Sequence, residues 1–260
     1  MFDHIRTLVE TSGILITWTM REVKVRYADT LLGIAWIAAY PAGWVLLFTF
    51  LFSHLIVVPV YGVPYPLFVM SGLVPWFFFS NTTSNAVSSL KNNANLIPKV
   101  YFPREILPLG SVLVGMVDFS LYNLLLGAML LYYRRTIGLN TIGLLPVIAT
   151  LAALTLAISL LTARMALFRR DVQILVPLAL QFLMYCVPVF YPVDIVPANY
   201  QTLYLLNPLA ALIDSFRRIL VYGLWPRWPF LLIAMGTSFA FLAVAYWDFK
   251  RAEPEFADRL

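Results

Sequence analysis

Six mostly apolar stretches, each close to the length of a membrane span, run through the sequence. They cover residues 34–57, 67–90, 106–133, 142–163, 174–191 and 229–247. A helix needs roughly 20 apolar residues to cross the hydrocarbon core of a bilayer. Charged residues make up only 12% of the chain, whereas soluble domains carry about 25%. We therefore predict an all-α membrane protein, a single domain over residues 1–260 with six transmembrane helices.

Two segments outside these stretches predict shorter helices. Residues 1–30 mix charged and apolar side chains at helical spacing, which favours an amphipathic helix lying in the membrane interface. Residues 192–228 are apolar, but Pro197, Pro208 and Pro226 divide them into pieces too short to span. This second segment predicts short re-entrant or periplasmic helices between the fifth and sixth spans.

Lys and Arg residues are distributed unevenly between the two sides that six spans would create. Thirteen of the 18 fall on the side of the termini, and five fall on the other side. Because cytoplasmic segments carry an excess of Lys and Arg, both termini are predicted to be cytoplasmic. This distribution accounts for the net charge of +5 without a nucleic-acid partner.

Several motifs occur in a fixed order along the chain. They are REVKVRY at residues 21–27, SGLVPWFFFS at 71–80, NLIPKVYFPREILP at 95–108, VPVFYP at 187–192 with NPL at 207–209, and the tail FKRAEPEFAD at 249–258. Together they resemble the ABC type-2 permeases that export O-antigen, capsule or teichoic acid polysaccharides. The resemblance covers nearly the whole chain, and the ordered set is more specific than any single motif.

The resemblance implies a homodimer in the bacterial inner membrane that binds two copies of a separate ABC ATPase. It also implies export of a polysaccharide or glycolipid across the membrane by a subunit surrounded by membrane lipid. ATP and Mg would be held by the ATPase. The sequence is consistent with ATP hydrolysis on a separate subunit. The nearest match to a phosphate-binding loop, residues 110–115, is followed by Met116 and Val117 instead of Lys and Ser or Thr. We expect no enzyme activity, cofactor or metal site on this chain.

Two other classes of function remain open. An exporter of a lipid or a small amphiphilic drug would share the same topology. A membrane-embedded transferase would need clustered polar residues at the interface, and the only candidates are Asp194, Asp214, Arg217 and Arg218. These residues contain no paired-carboxylate or histidine-based arrangement, so the transferase is the remotest alternative.

The loop between the second and third spans is the expected site of ATPase coupling. In the family this cytoplasmic loop carries a short helix that fits a groove on the ATPase, and its aromatic and charged residues here suit a protein interface. A smaller second contact is expected between the fourth and fifth spans. The alternative is a solvated loop whose cations only set the topology. The candidate coupling residues are Asn95, Lys99, Tyr101, Phe102, Arg104 and Glu105, with Arg169, Arg170 and Asp171 for the second contact.

The second half of the second span, residues 80–89, is nearly all small and polar. Such a segment either lines a water-accessible path or packs at the dimer interface. Aromatic rings stack on the C–H faces of sugars, although an ordinary interfacial aromatic belt is the alternative for each ring. The candidate pathway residues are Trp76, Phe77, Phe79, Ser80, Asn81, Ser84, Tyr185, Phe190, Tyr191, Tyr200 and Tyr204.

Asp118 lies well inside the third span, with Asn123 nearby. A carboxylate within a membrane span is a functional candidate by default. A proton relay usually needs several ionisable groups at depth, and Asp118 has no such neighbour in the sequence. A hydrogen-bonded structural role is therefore favoured over proton transfer.

Overall fold

The computed structural model describes residue 13 and residues 15–26, 35–54, 62–94, 102–135 and 138–256. Within these ranges every regular element is helical. The α-helices are α1 (residues 15–26), α2 (Ala35–His54), α3 (Tyr65–Asn92), α4 (Ile106–Tyr132), α5 (Leu144–Phe168), α6 (Val172–Leu183), α7 (Ala198–Leu205), α8 (Pro208–Leu220) and α9 (Trp228–Ala252). Short 3₁₀ turns precede α5 and α7 and follow α9, at Leu139–Gly143, Val193–Ile195 and Glu253–Glu255. The all-α prediction is confirmed for this part of the chain.

Three of the described segments are long and apolar enough to cross a membrane: Ile106–Tyr132, Leu139–Phe168 and Trp228–Glu255. Shorter apolar helices occur at Ala38–Phe52 and Val172–Leu183. Helix α3 has 28 residues, which gives a length of about 42 Å at the α-helical rise. Its polar second half lowers its mean hydropathy. Helix α3 is therefore long enough to cross a membrane but is less apolar than the three segments above.

Helix α3 is the central helix of the protomer. It packs against α2, α4, α5, α6 and α8. Every side chain from Leu67 to Ser80 is buried. Helices α3 and α4 approach closely at Gly115, where an added Cβ would overlap the hydroxyl of Thr82. Small residues at such crossings allow membrane helices to pack closely, so α3 and α4 are held together along the middle of the bundle.

Helix α6 ends earlier than the fifth predicted span, at Leu183 rather than near Tyr191. Its 12 residues reach only about 18 Å. Residues 184–192 form turns instead, because Pro188 and Pro192 cannot supply the backbone N–H groups that a continuing helix requires. Three carbonyl groups in this segment accept hydrogen bonds from side chains: Tyr185 O from Tyr191, Val189 O from Arg217, and Phe190 O from Tyr65.

The outer surfaces of the bundle are apolar. Along α9, Leu232, Val244 and Trp247 are exposed, and along α6, Ile174 and Phe182 are exposed. Ser80, Thr82 and Thr83 of α3 and Asp214 and Arg217 of α8 are meanwhile buried. This is the reverse of a soluble protein and is typical of a surface that contacts lipid or another membrane subunit. The short helices predicted between the last two spans are present as α7 and α8.

Candidate transport pathway and coupling surface

The polar half of α3 is largely enclosed by the protomer. Ser80, Thr82 and Thr83 are buried, and Asn81 and Ser84 are half-buried. The hydroxyl groups of Thr82 and Thr83 have no hydrogen-bond partner among the described residues. The N-terminal part of residues 80–89 therefore packs against neighbouring helices. The segment becomes accessible only toward its C-terminal end.

A polar cavity of about 300 Å³ opens at that end of α3. Three helices form its walls: α1, the last turns of α3, and the first turns of α4. Hydroxyl and amide groups dominate the lining, together with one indole ring, one acidic side chain, one basic side chain and two apolar side chains. The lining residues are Trp18, Glu22, Arg26, Asn85, Ser88, Ser89, Asn92, Asn93, Leu107, Ser111 and Val114. The arrangement offers many neutral hydrogen-bonding groups to an occupant.

Asp118 is not isolated. The Arg26 guanidinium in α1 donates to its carboxylate at 2.6 Å. The Arg26 side chain is 31% exposed and that of Asp118 only 10%, so the cation reaches inward from the edge of the cavity. Asn123 instead donates to the Phe119 carbonyl of its own helix at 2.8 Å. The ion pair fixes α1 against α4, and it gives Asp118 the structural partner that the sequence did not identify.

The eight candidate aromatic residues do not form one surface. Trp76, Phe77, Phe79 and Phe190 are almost fully buried within the protomer, whereas Tyr185 and Tyr200 are more than half exposed; Tyr191 and Tyr204 are intermediate. Two of the buried rings, Phe77 and Phe190, pack instead against aromatic rings of α2, whereas Trp76 and Phe79 pack against each other. Phe48 stacks on Phe190 at a centroid distance of 3.7 Å, and Phe77 lies 5.1 Å from Tyr40.

The partly accessible tyrosines lie on the segment that follows α6. The hydroxyl groups of Tyr191 and Tyr204 are 3.1 Å apart, and that of Tyr191 donates to the Tyr185 carbonyl at 2.9 Å. Tyr200 lies one turn before Tyr204 on α7 and is exposed. Of the predicted aromatic set, these tyrosines alone remain available to a ligand in a single protomer.

A buried arginine that sequence reasoning had considered only for catalysis organises this segment. The Arg217 side chain donates to Ser71 Oγ at 3.2 Å and to the Val189 carbonyl at 2.8 Å. Its guanidinium carbon lies 3.8 Å from the centroid of the Phe68 ring. A cation placed over an aromatic face is stabilised by the ring quadrupole. Arg217 therefore ties α8, α3 and the turn after α6 together.

The neighbouring acidic groups complete this charged cluster. Burial raises the pKa of the Asp214 carboxyl above its ordinary value, and the Arg227 guanidinium, 3.6 Å away, opposes that shift. Arg227 also lies 3.7 Å from Asp194, which is largely exposed. These contacts join the start of α9 to α8 and to the 3₁₀ turn before α7. Within the described residues, no three His, Cys, Asp or Glu side chains converge as a metal site.

The candidate coupling residues fall into three groups. Asn95, Lys99 and Tyr101 lie outside the described residues. Phe102, Arg104 and Glu105 are half-buried and contact the C-terminal end of α9. Arg169, Arg170 and Asp171 are exposed at the turn between α5 and α6. Lys91 at the end of α3 donates to Gln173 of α6 at 3.3 Å, so the Arg169–Asp171 turn, which directly precedes α6, lies near the end of α3 where the loop of residues 91–104 begins.

Comparison with known proteins gives one family and several relatives. The model of the ABC-2 type transporter family matches residues 15–221. An O-antigen export system permease protein RfbA of Klebsiella pneumoniae is 29% identical over 248 residues, covering 95% of each chain. A Myxococcus xanthus protein of the same name is 28% identical over 264 residues and covers all of both chains. The Escherichia coli polysialic acid transport protein KpsM is 22% identical over 229 residues, covering 86% of this chain and 84% of that protein.

Proposed function

Because the chain belongs to the ABC-2 type transporter family, we propose that it is the membrane subunit of an ATP-driven exporter of a polysaccharide carried on a lipid. The observation that supports this most is the match to permeases named for O-antigen export along 95% or more of both chains. A relative named for polysialic acid transport matches along most of its length. The shared feature of these substrates is a long, hydroxyl-rich polymer.

The polar cavity favours a sugar polymer over a small amphiphile. Neutral amide and hydroxyl groups such as Asn85, Ser88 and Ser111 line it, and the Trp18 ring offers an apolar face. A sugar presents hydroxyl groups to hydrogen-bonding side chains and C–H faces to aromatic rings. Sites for drug-sized amphiphiles are predominantly apolar. The cavity is therefore a suitable place for sugar units to enter at the end of α3.

The proposed topology has six spans formed by α2, α3, α4, α5, α6 with the turns after it, and α9. Both termini lie in the cytoplasm, and α7 and α8 lie toward the periplasm. The skewed Lys and Arg distribution supports this orientation. In a Cys186→Ser background, a cysteine at the exposed Arg170 should react with an impermeant thiol reagent only after permeabilisation. A cysteine at the exposed Asn199 should react in intact cells, and the opposite pattern would invert the topology.

The proposed assembly is a homodimer bound to two copies of an ABC ATPase that holds the ATP and Mg. The loop of residues 91–104 and the Arg169–Asp171 turn would contact that ATPase, because both sit at the cytoplasmic end in the proposed orientation. This chain would then have no enzyme activity of its own. Affinity purification from native membranes should recover an ABC ATPase in equal amount, and its absence from a monodisperse, functional preparation would refute this assembly.

Bulk placed inside the cavity tests the pathway. Ser88→Trp should lower surface polymer severalfold while ATPase co-purification is retained. Ser120→Trp is the matched control, because Ser120 is exposed on the outer side of α4. Asn85→Leu keeps the side-chain size and removes the amide, so it should lower export less strongly than Ser88→Trp. Wild-type surface polymer with both cavity variants would remove the cavity from the pathway, and wild-type polymer after deletion of the gene would remove the proposed function itself.

A further inference from the structure

The C-terminal end of α9 contacts the last residue of the coupling loop, Arg104, and the residue that follows it, Glu105. The backbone N–H of Arg104 donates to Glu253 Oε1 at 2.9 Å. The Arg104 guanidinium donates in return to the Glu253 backbone carbonyl. One residue on each side is thus held through both its backbone and its side chain. Such a reciprocal arrangement fixes the position and the direction of the two segments relative to each other.

Lys250 adds a second bond between the same two segments. Its ammonium group lies 2.7 Å from Glu105 and 3.0 Å from Glu253. The Lys250 side chain is 34% exposed, while the Glu105 and Glu253 side chains are about one-fifth exposed. The bridge is therefore partly screened by solvent, and its geometry matters more than its raw strength.

Apolar contacts between the same two segments add to these polar ones. Phe256, just beyond the 3₁₀ turn, is fully buried, and its ring lies 5.2 Å from that of Phe249. Arg104 lies 6.0 Å over the Phe256 ring, and Phe102 packs against the same cluster. That cluster also includes buried residues of α3, α4 and α5, namely Leu90, Leu107, Leu160 and Ala163. We call residues 102–105 together with residues 249–256 the C-terminal clasp.

Helix α9 connects the clasp to the opposite end of the protomer. It contains 25 residues, which corresponds to about 38 Å. It packs along α5 and α8. At its start, Arg227 lies 3.6 Å from Asp214 in α8, the helix that holds the turn after α6 through Arg217. A single continuous helix therefore joins the end of the coupling loop to the helices of the 192–228 segment.

We propose that the clasp is the joint that carries movement of the coupling loop into α9 and from there to α8. The proposal rests on the proposed function, because it needs an ATPase that moves the loop. Lys250, Glu105, Glu253 and Arg104 are positioning residues in this account, since they touch neither nucleotide nor sugar. Simple anchoring of the tail would need only the buried Phe249 and Phe256, whereas the charged contacts converge on Arg104 and Glu105, where the coupling loop ends.

The test compares two charge-neutralising variants in the complex with its ATPase. Lys250→Met keeps the aliphatic stem and removes both ion pairs. Arg251→Met is the matched control, because Arg251 is exposed in the same helical turn and contacts only the Trp247 ring among the described contacts. Lys250→Arg retains the charge, so it should export about as much polymer per ATP as the wild type. The quantities measured are ATPase co-purification, ATP hydrolysis by the complex, and polymer exported.

Lys250→Met should retain the ATPase and hydrolyse ATP, while the polymer exported per ATP hydrolysed falls roughly threefold, which lies within the range by which a residue between two coupled sites changes their coupling. Glu253→Gln is a milder second variant because its amide oxygen can still accept the Arg104 N–H. It should give a smaller loss in the same ratio. Parallel losses of protein, ATPase binding and hydrolysis in both variants would reduce the clasp to a stabilising contact. An unchanged ratio in both would overturn the proposal, and an absence of export by the wild-type complex would instead refute the proposed function.

Discussion

Adding one methyl group at Gly72 should strongly destabilise the protein. Gly72 lies on α3 beside the buried Arg217, and an added Cβ would overlap the guanidinium. The same Cβ would lie 2.6 Å from the Val189 carbonyl oxygen and 3.0 Å from the Val189 Cα. Both the cation and the backbone of the turn after α6 would have to move. Neither can do so freely, because Arg217 is bonded to Ser71 and Val189.

The expected magnitude combines three contributions. Overpacking a well-packed core costs about 1–3 kcal/mol. Weakening the hydrogen bonds of a buried charged group adds about 2 kcal/mol. Alanine favours a helix over glycine by about 1 kcal/mol, which offsets part of this loss. The net destabilisation of Gly72→Ala should be about 3 kcal/mol.

Gly236→Ala is the matched control. Gly236 lies on α9 with nothing within 4 Å of an added Cβ, so this variant should be neutral or slightly stabilised. The free energy of unfolding of both variants can be measured by titrating SDS into the purified protein in mild detergent micelles. Equal stabilities of Gly72→Ala and Gly236→Ala would show that Arg217 does not occupy the position described.

Further variants test the contacts of α3, α4 and α1. Gly115→Ala should lower the unfolding free energy by about 1–3 kcal/mol through overlap with the Thr82 hydroxyl. Adding Thr82→Ala should recover part of that loss in the same SDS titration, and an unrelieved double variant would contradict the close approach. Arg26→Met should cost about 2 kcal/mol, because it removes the charged donor that bonds to the Asp118 carboxylate at 2.6 Å. The double variant with Asp118→Asn should be more stable than Arg26→Met alone, whereas additive losses would argue against the ion pair.

The three long apolar helical segments at Ile106–Tyr132, Leu139–Phe168 and Trp228–Glu255 could be predicted from the sequence, because apolar length is a local property. The end of α6 at Leu183 could not be predicted in the same way. The turns after Leu183 are stabilised by Tyr65 and Arg217, which are 125 and 28 residues from the carbonyl groups they bind. Such contacts depend on how α3 and α8 pack and leave no periodic signal. The two prolines in VPVFYP were the available local sign that the helix would end early.

The polar half of α3 was recognised from its composition, but the cavity beside it was not. Its third wall is α1, and the position of α1 depends on the pairing of Arg26 with Asp118 across 92 residues. For the same reason, Asp118 looked isolated in the sequence. The candidate aromatic set was chosen for chemistry alone. Burial separates Trp76 and Phe77 from the accessible Tyr200, and amino-acid type does not reveal this difference.

Reconstituted transport tests the central claim most directly. The chain and its ATPase would be purified together, inserted into liposomes, and supplied with the polysaccharide on its lipid carrier at the ATPase side. The account predicts that ATP and Mg move the polymer into the lumen, where it becomes protected from an added glycan-degrading enzyme. It also predicts that neither this chain alone nor the complex without ATP provides protection. Polymer movement without the ATPase, or ATP-driven movement of lipid alone with the polymer left outside, would contradict the account.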